Sequence, residues 1–108
     1  MLYNGNYSAI CCKYVSDMKI YTIVRTWFAA DDSWKQTTTA DSYRVVAEAK
    51  EAMLGIIKSL VDIGLAEYVG TYAFEYLMST QKISELHATL EYQNGTMEII
   101  SIKENWLY

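Results

Sequence analysis

The sequence predicts an α+β domain: an antiparallel sheet of about five strands, in the order β-β-α-β-β-β, with one long helix packed on one face. Three observations carry this prediction. Two early segments are dense in β-branched and aromatic residues. A long middle stretch repeats its apolar residues at three- and four-residue spacing. The last third places Asn94-Gly95 between two apolar runs. No linker, internal repeat or low-complexity segment divides residues 1–108, so the chain reads as a single domain.

Residues 7–15 (YSAICCKYV) and 18–28 (MKIYTIVRTWF) lack Gly and Pro, and each predicts a strand. Ser16 and Asp17 offer a short turn between them. In the second strand Met18, Ile20, Thr22, Val24 and Phe28 share one face, and Lys19, Tyr21, Ile23, Arg25 and Trp27 share the other. Both faces are largely apolar, so partial cover is expected on each. Residues 29–41 (AADDSWKQTTTAD) are polar without apolar periodicity and read as one long loop. Thr39 or Asp41 is placed to cap the helix that follows.

From Ser42 to Ile63 the pattern is helical, with Tyr43, Val46, Ala47, Met53, Leu54, Ile57, Leu60 and Val61 on one stripe. Gly64 supplies the stop. Residues 65–78 (LAEYVGTYAFEYLM) fit two templates. Tyr and Val density and the poor fit of Gly70 to a helix interior favour a strand, and a second helix is the alternative.

Residues 83–92 and 96–103 read as a hairpin about Asn94-Gly95, with a helix over 80–92 as the rival. A two-residue turn would set Glu91 opposite Glu98, and like charges so placed repel. A three-residue loop with a bulge removes that clash and faces Glu85 with Lys103. Pairing energies favour the second register, yet a close carboxylate pair would suit a surface that meets a basic partner. Both stay open at this level.

Composition narrows the function classes. Apolar residues make up 52% and charged residues 20%, which is globular composition. The opening residues have no basic start ahead of an apolar run, and no run reaches the roughly 18 apolar residues of a membrane span. A cytoplasmic protein is expected, in the host cytoplasm if it is phage-encoded. Cys11 and Cys12 are adjacent and read as reduced thiols, since a vicinal disulfide is strained and closes almost no loop.

Catalytic machinery is not evident. His87 is the only histidine, no Gly-x-Ser-x-Gly elbow or phosphate-binding glycine loop occurs, and Cys11, Cys12 and His87 lack zinc-ligand spacing. No metal, cofactor or enzymatic activity is therefore expected.

The net charge of −4 lies wholly in the second half, where seven acids face Lys58, Lys82 and Lys103. Such a chain repels phosphate backbones and attracts basic surfaces, so another protein, and not nucleic acid or membrane, is the expected partner. Ten tyrosines and three tryptophans add residue types enriched at interface hot spots. Trp34 stands in a polar segment just after Asp31 and Asp32, either folded back over the sheet or presented to a partner. Trp106 poses the same choice.

The leading expectation is a small acidic inhibitor that blocks a basic surface of a nucleic-acid-handling enzyme, by analogy with anti-defence proteins of phages and mobile elements. Its contact residues would be Asp31, Asp32, Trp34, Glu75, Glu85, Glu91, Glu98, Glu104 and Trp106, with the five glutamates on one face. The alternatives are a small-molecule binder or enzyme with a pocket lined by Tyr68, Tyr72 and Tyr76, and a homodimeric structural protein.

Overall fold

A computed structural model of the protein describes residues 19–70 and 72–106. The strand expected over 7–15 lies outside the described residues. The described chain runs β1 (Lys19–Phe28), β2 (Lys35–Tyr43), α1 (Val46–Asp62), β3 (Ala66–Tyr68), α2 (Phe74–Ser79), a 3-10 turn (Ile83–Glu85), β4 (His87–Tyr92) and β5 (Met97–Trp106). The five strands form one antiparallel sheet in the order β2-β1-β5-β4-β3. This is the α+β architecture that the sequence predicts, with five antiparallel strands and one long helix.

The register explains why the sheet has a dry face. Ile23 pairs with Ile102, Arg25 with Ile100 and Trp27 with Glu98. Ala88 pairs with Ile100 and Leu90 with Glu98. These side chains share one face by the two-residue period of a strand. Against it α1 buries Ala49, Met53 and Ile57, and Leu77 and Leu86 complete the core. Full burial of each Leu or Ile contributes roughly 1.5–3 kcal/mol.

Several boundaries differ from those the sequence predicts. The polar stretch 29–41 is not one loop, because β2 begins at Lys35 and pairs along β1. Every β2 residue before Tyr43 is exposed. An edge strand that buries nothing needs no apolar alternation, and threonine's β-branched side chain suits it. Hydroxyl contacts tie it across, Thr26 to Thr37 at 3.2 Å and Thr22 to Ser42 at 2.8 Å. The helix accordingly starts four residues later than expected, with Val45 at the N-cap, and Thr39 and Asp41 belong to β2 instead of capping it. Its C-terminus follows the expectation: Gly64 adopts φ 80°, its N–H donates to the Val61 carbonyl, and the Leu65 N–H reaches the Leu60 carbonyl.

Both templates for 65–78 hold in part. Residues 66–68 pair with β4, and 74–79 form the short α2, with Gly70 between them. A Cβ on Gly70 would come within 2.6 Å of the Tyr68 hydroxyl, so only glycine lets that ring lie over the connection.

The β4–β5 hairpin takes the three-residue loop. Glu91 pairs with Met97 and Leu90 with Glu98. The Tyr92 N–H donates to the Thr96 carbonyl, and Gly95 sits at φ 88°. The expected Glu85–Lys103 pairing does not form, because Glu85 belongs to the 3-10 turn ahead of β4.

Candidate functional site

The five glutamates expected on one face are dispersed. Glu98 is fully buried on the helix side of β5 and is no surface contact. Glu104 is held by Lys19 at 2.9 Å. Glu85 accepts hydrogen bonds from Tyr76 at 2.6 Å and Thr80 at 3.0 Å, which pull its carboxyl below the usual glutamate range. Glu75 is exposed in the first turn of α2. Glu91 is exposed on the sheet face opposite to that of Glu98. Strand alternation is the physical reason: residues seven apart on two strands, as 91 and 98 are, share a face only in the two-residue-turn register, which the hairpin does not adopt.

Glu98 is the centre of a buried polar network on the helix side of the sheet. Arg25 Nε donates to Oε2 at 2.5 Å and Nη2 to Oε1 at 3.2 Å, while the Tyr92 hydroxyl donates to Oε1 at 2.5 Å. The Arg25 guanidinium also lies 4.9 Å from the Trp27 ring centroid. The hydrogen bond to Glu98 pushes the Arg25 pKa up against the effect of burial. Burial first, and then Glu98, raises that of Tyr92. This network gives the buried Glu98 carboxylate three hydrogen bonds.

An acidic edge joins Glu91, a contact residue expected from the sequence, to Glu67, which was not among those expected. β3 and β4 pair with Glu67 directly opposite Glu91, and both are exposed. The ion pairs of the described residues are Lys19–Glu104, Arg25–Glu98 and Lys58–Asp62, so neither carboxylate has a cation. Both border an open groove of about 680 Å³ that also takes in Val61, Tyr68 and Tyr92. Burial raises the Tyr68 pKa, and the Tyr68 hydroxyl donates to the Tyr72 carbonyl.

The remaining contact candidates fall at two ends of the sheet. At one end Asp31, Trp34, Asn94 and Gly95 line a shallow depression where the β1–β2 and β4–β5 loops meet. Trp34 lines a second depression with Phe28 and Ile99 and is 46% exposed. Asp31 accepts from the Ser33 N–H at 3.0 Å, and hydrogen bonds from Ser33 lower its pKa. Asp32 adopts φ 60° in that turn. Trp106 lies at the other end of β1, opposite Lys19, whose ammonium is 4.8 Å from the indole centroid. The ten residues of β1 span the distance between the two ends, about 30 Å of extended chain.

The three tyrosines expected to line a common pocket are connected through Tyr72. Tyr72 stacks on Tyr76 at 4.8 Å and meets His87 edge-on at 5.9 Å. Tyr68 meets Phe74 edge-on at 6.4 Å. His87 pairs with Ser101 across β4 and β5, and no hydrogen bond joins their side chains among the described residues. Among those residues no three His, Cys, Asp or Glu side chains come together as a metal site would need, and no helix is long and apolar enough to cross a membrane. Compared with protein families, curated proteins and solved structures, the chain matches none.

Proposed function

We propose that the protein is a binding module that occupies the basic surface of another protein, with the Glu67–Glu91 edge as its anionic centre. The observation that carries this reading is the in-register placement of two exposed carboxylates with no cation beside them among the described residues. Like charges directly opposite one another oppose pairing of the strands. An incoming arginine or lysine would remove that repulsion and turn a local cost into binding energy. Tyr68 and Tyr92 border the same groove, but their side chains lie on the helix side of the sheet, so the two carboxylates alone would hold the cation. The net charge of −4 supports attraction at longer range. A nucleic-acid-handling enzyme is the partner class such a surface suits, because its phosphate-binding channel is basic.

The reading is narrower than mimicry of a phosphate row. Glu98, Glu104 and Glu85 are engaged within the fold, so the contact rests on a single pair of acids.

The test is capture from a lysate of the native source or its host, followed by elution in a salt gradient. A basic protein retained by the wild type, released by rising salt and lost with the Glu67→Lys/Glu91→Lys variant supports the proposal. Equal retention by that variant overturns it. Asp31→Lys/Asp32→Lys, at the far loops, serves as the charge-matched control.

A further inference from the structure

The two edges of the sheet are unequal. β3 presents three residues and carries Glu67, whereas β2 presents nine, all exposed before Tyr43. Short strands, charges, prolines and bulges are the usual ways of blunting an edge. β2 has a bulge only near its end, where the register shifts between Thr22 and Val24 of β1, and its only basic residue is Lys35 at the start. The segment 35–39 (KQTTT) is regular, contains no proline, and is rich in β-branched residues.

The phase of the hydrogen bonding is also fixed. The Ala29 N–H donates to the Trp34 carbonyl at 3.2 Å, in line with the β1–β2 register. In an antiparallel ladder hydrogen-bonded pairs alternate with non-bonded ones. Gln36 and Thr38 therefore turn their backbone groups inward to Trp27 and Arg25 of β1. Lys35, Thr37 and Thr39 turn theirs outward, where no described strand meets them.

We propose that this edge is a self-association surface, at which a second copy of the chain adds its own β2 antiparallel about a twofold axis at Thr37. That register joins Lys35 to the partner's Thr39, Thr37 to the partner's Thr37 and Thr39 to the partner's Lys35. All three outward residues are then used on both sides. Shifting the axis to Gln36 or Thr38 loses one of these pairs or carries the contact into the bulge. The occupant follows from self-complementarity: the segment meets itself without opposing like charges, and Gln36 falls opposite the partner's Thr38, a pair able to hydrogen bond. An isologous contact of this kind closes as a dimer and leaves the acidic β3 edges at the two outer ends of a continuous ten-stranded sheet. The inference is independent of the proposed partner contact at Glu67 and Glu91.

A strand pair of this length buries less than a standard protein interface, so dimerisation is expected in the range of about 10–500 μM. Sedimentation of the full chain across that range reads it directly. Dimer is expected for the wild type. Thr37→Pro, which removes an outward N–H and no β1 bond, should weaken it at least tenfold while circular dichroism stays that of the wild type. Thr39→Lys, which sets a lysine opposite the partner's Lys35, should weaken it several-fold. Thr39→Glu, which sets a carboxylate there, should tighten it. A chain that remains monomeric throughout overturns the proposal, as does a dimer indifferent to all three changes.

Discussion

Arg25 and Glu98 face each other diagonally across β1 and β5, the guanidinium Nε 2.5 Å from a carboxylate oxygen that is wholly removed from solvent. A buried ion pair adds little compared with apolar residues of the same volume, because desolvating both charges offsets their attraction. Removing one partner is different, since it strands the other. Arg25→Ala is expected to cost about 3 kcal/mol, the lower end of the range for breaking such pairs, because the Arg25 side chain keeps 23% of its exposure. The Arg25→Met/Glu98→Leu double variant should cost much less than either single change. Urea melts of the three variants check both statements, and single variants within about 0.5 kcal/mol of wild type would contradict them.

Tyr92 gives the fold an alkaline limit. Burial and then the hydrogen bond to Glu98 hold its hydroxyl above the usual tyrosine range. A raised folded-state pKa supports folding fully below the unfolded value, about 10 for tyrosine, and that support is lost as pH rises toward the folded value. Stability should therefore fall above about pH 10, with phenolate absorbance at 295 nm appearing together with unfolding. Tyr92→Phe should lower stability at neutral pH, since Glu98 loses a donor, yet flatten the alkaline slope. An unchanged slope would contradict this account.

Neutralising the edge acids should have opposite effects on folding and binding. Glu91→Gln removes the repulsion with Glu67 and is expected to raise stability by about 0.2–1 kcal/mol. The same change should weaken capture of the basic partner. Thermal melts at low and high salt distinguish repulsion from other causes, because the gain should shrink as salt screens the wild-type pair.

Lys50 acts as a strut between the two helices. Its ammonium donates to the carbonyls of Met78 at 2.8 Å and Thr80 at 2.9 Å, just where α2 ends. Lys50→Met keeps the aliphatic stem and removes the donor. We expect a loss of about 1–2 kcal/mol, somewhat below the usual value for charge-assisted bonds because the site is partly exposed. Amide exchange should accelerate over 74–80 and stay slow in β1 and β5. Uniform acceleration across the chain would mean that Lys50 holds the whole fold.

What was legible in the sequence follows from burial. The α1 stripe could be read because Met53 and Ile57 face one sheet, although buried Ala49 lies outside the predicted stripe and its Ala47 and Val61 are exposed. The Gly64 stop could be read because its positive φ is cheap only for glycine. β2 could not be read that way, because a strand wet on both faces leaves no apolar alternation. Residues 65–78 were ambiguous because two elements of three and six residues are each too short to display a period. Glu98 reads by its charge as a surface acid although it shares a strand face with Ile100 and Ile102, and Arg25 interrupts the face of Tyr21, Ile23 and Trp27 in the same manner. Two opposite charges, each an exception on an apolar face, were the available signal. Their meeting depends on β1 pairing with β5, and the Glu67–Glu91 edge depends on β3 pairing with β4 in one register, neither of which periodicity reveals.

The central place of β5 bears on how the chain reaches its fold. β1 pairs with β5 along all ten residues of each strand, from Lys19 with Trp106 to Phe28 with Met97. The β1–β2 hairpin and α1 can form while a ribosome is still making the rest. The middle of the sheet stays vacant until β5, last of the five strands in sequence, inserts between β1 and β4. Until then β1 carries an open edge beside an uncovered apolar face. Pairings between segments so distant along the chain are slow to form. Synthesis at low temperature or with a chaperone supplied should therefore raise the yield of soluble protein more than any stabilising change in α1.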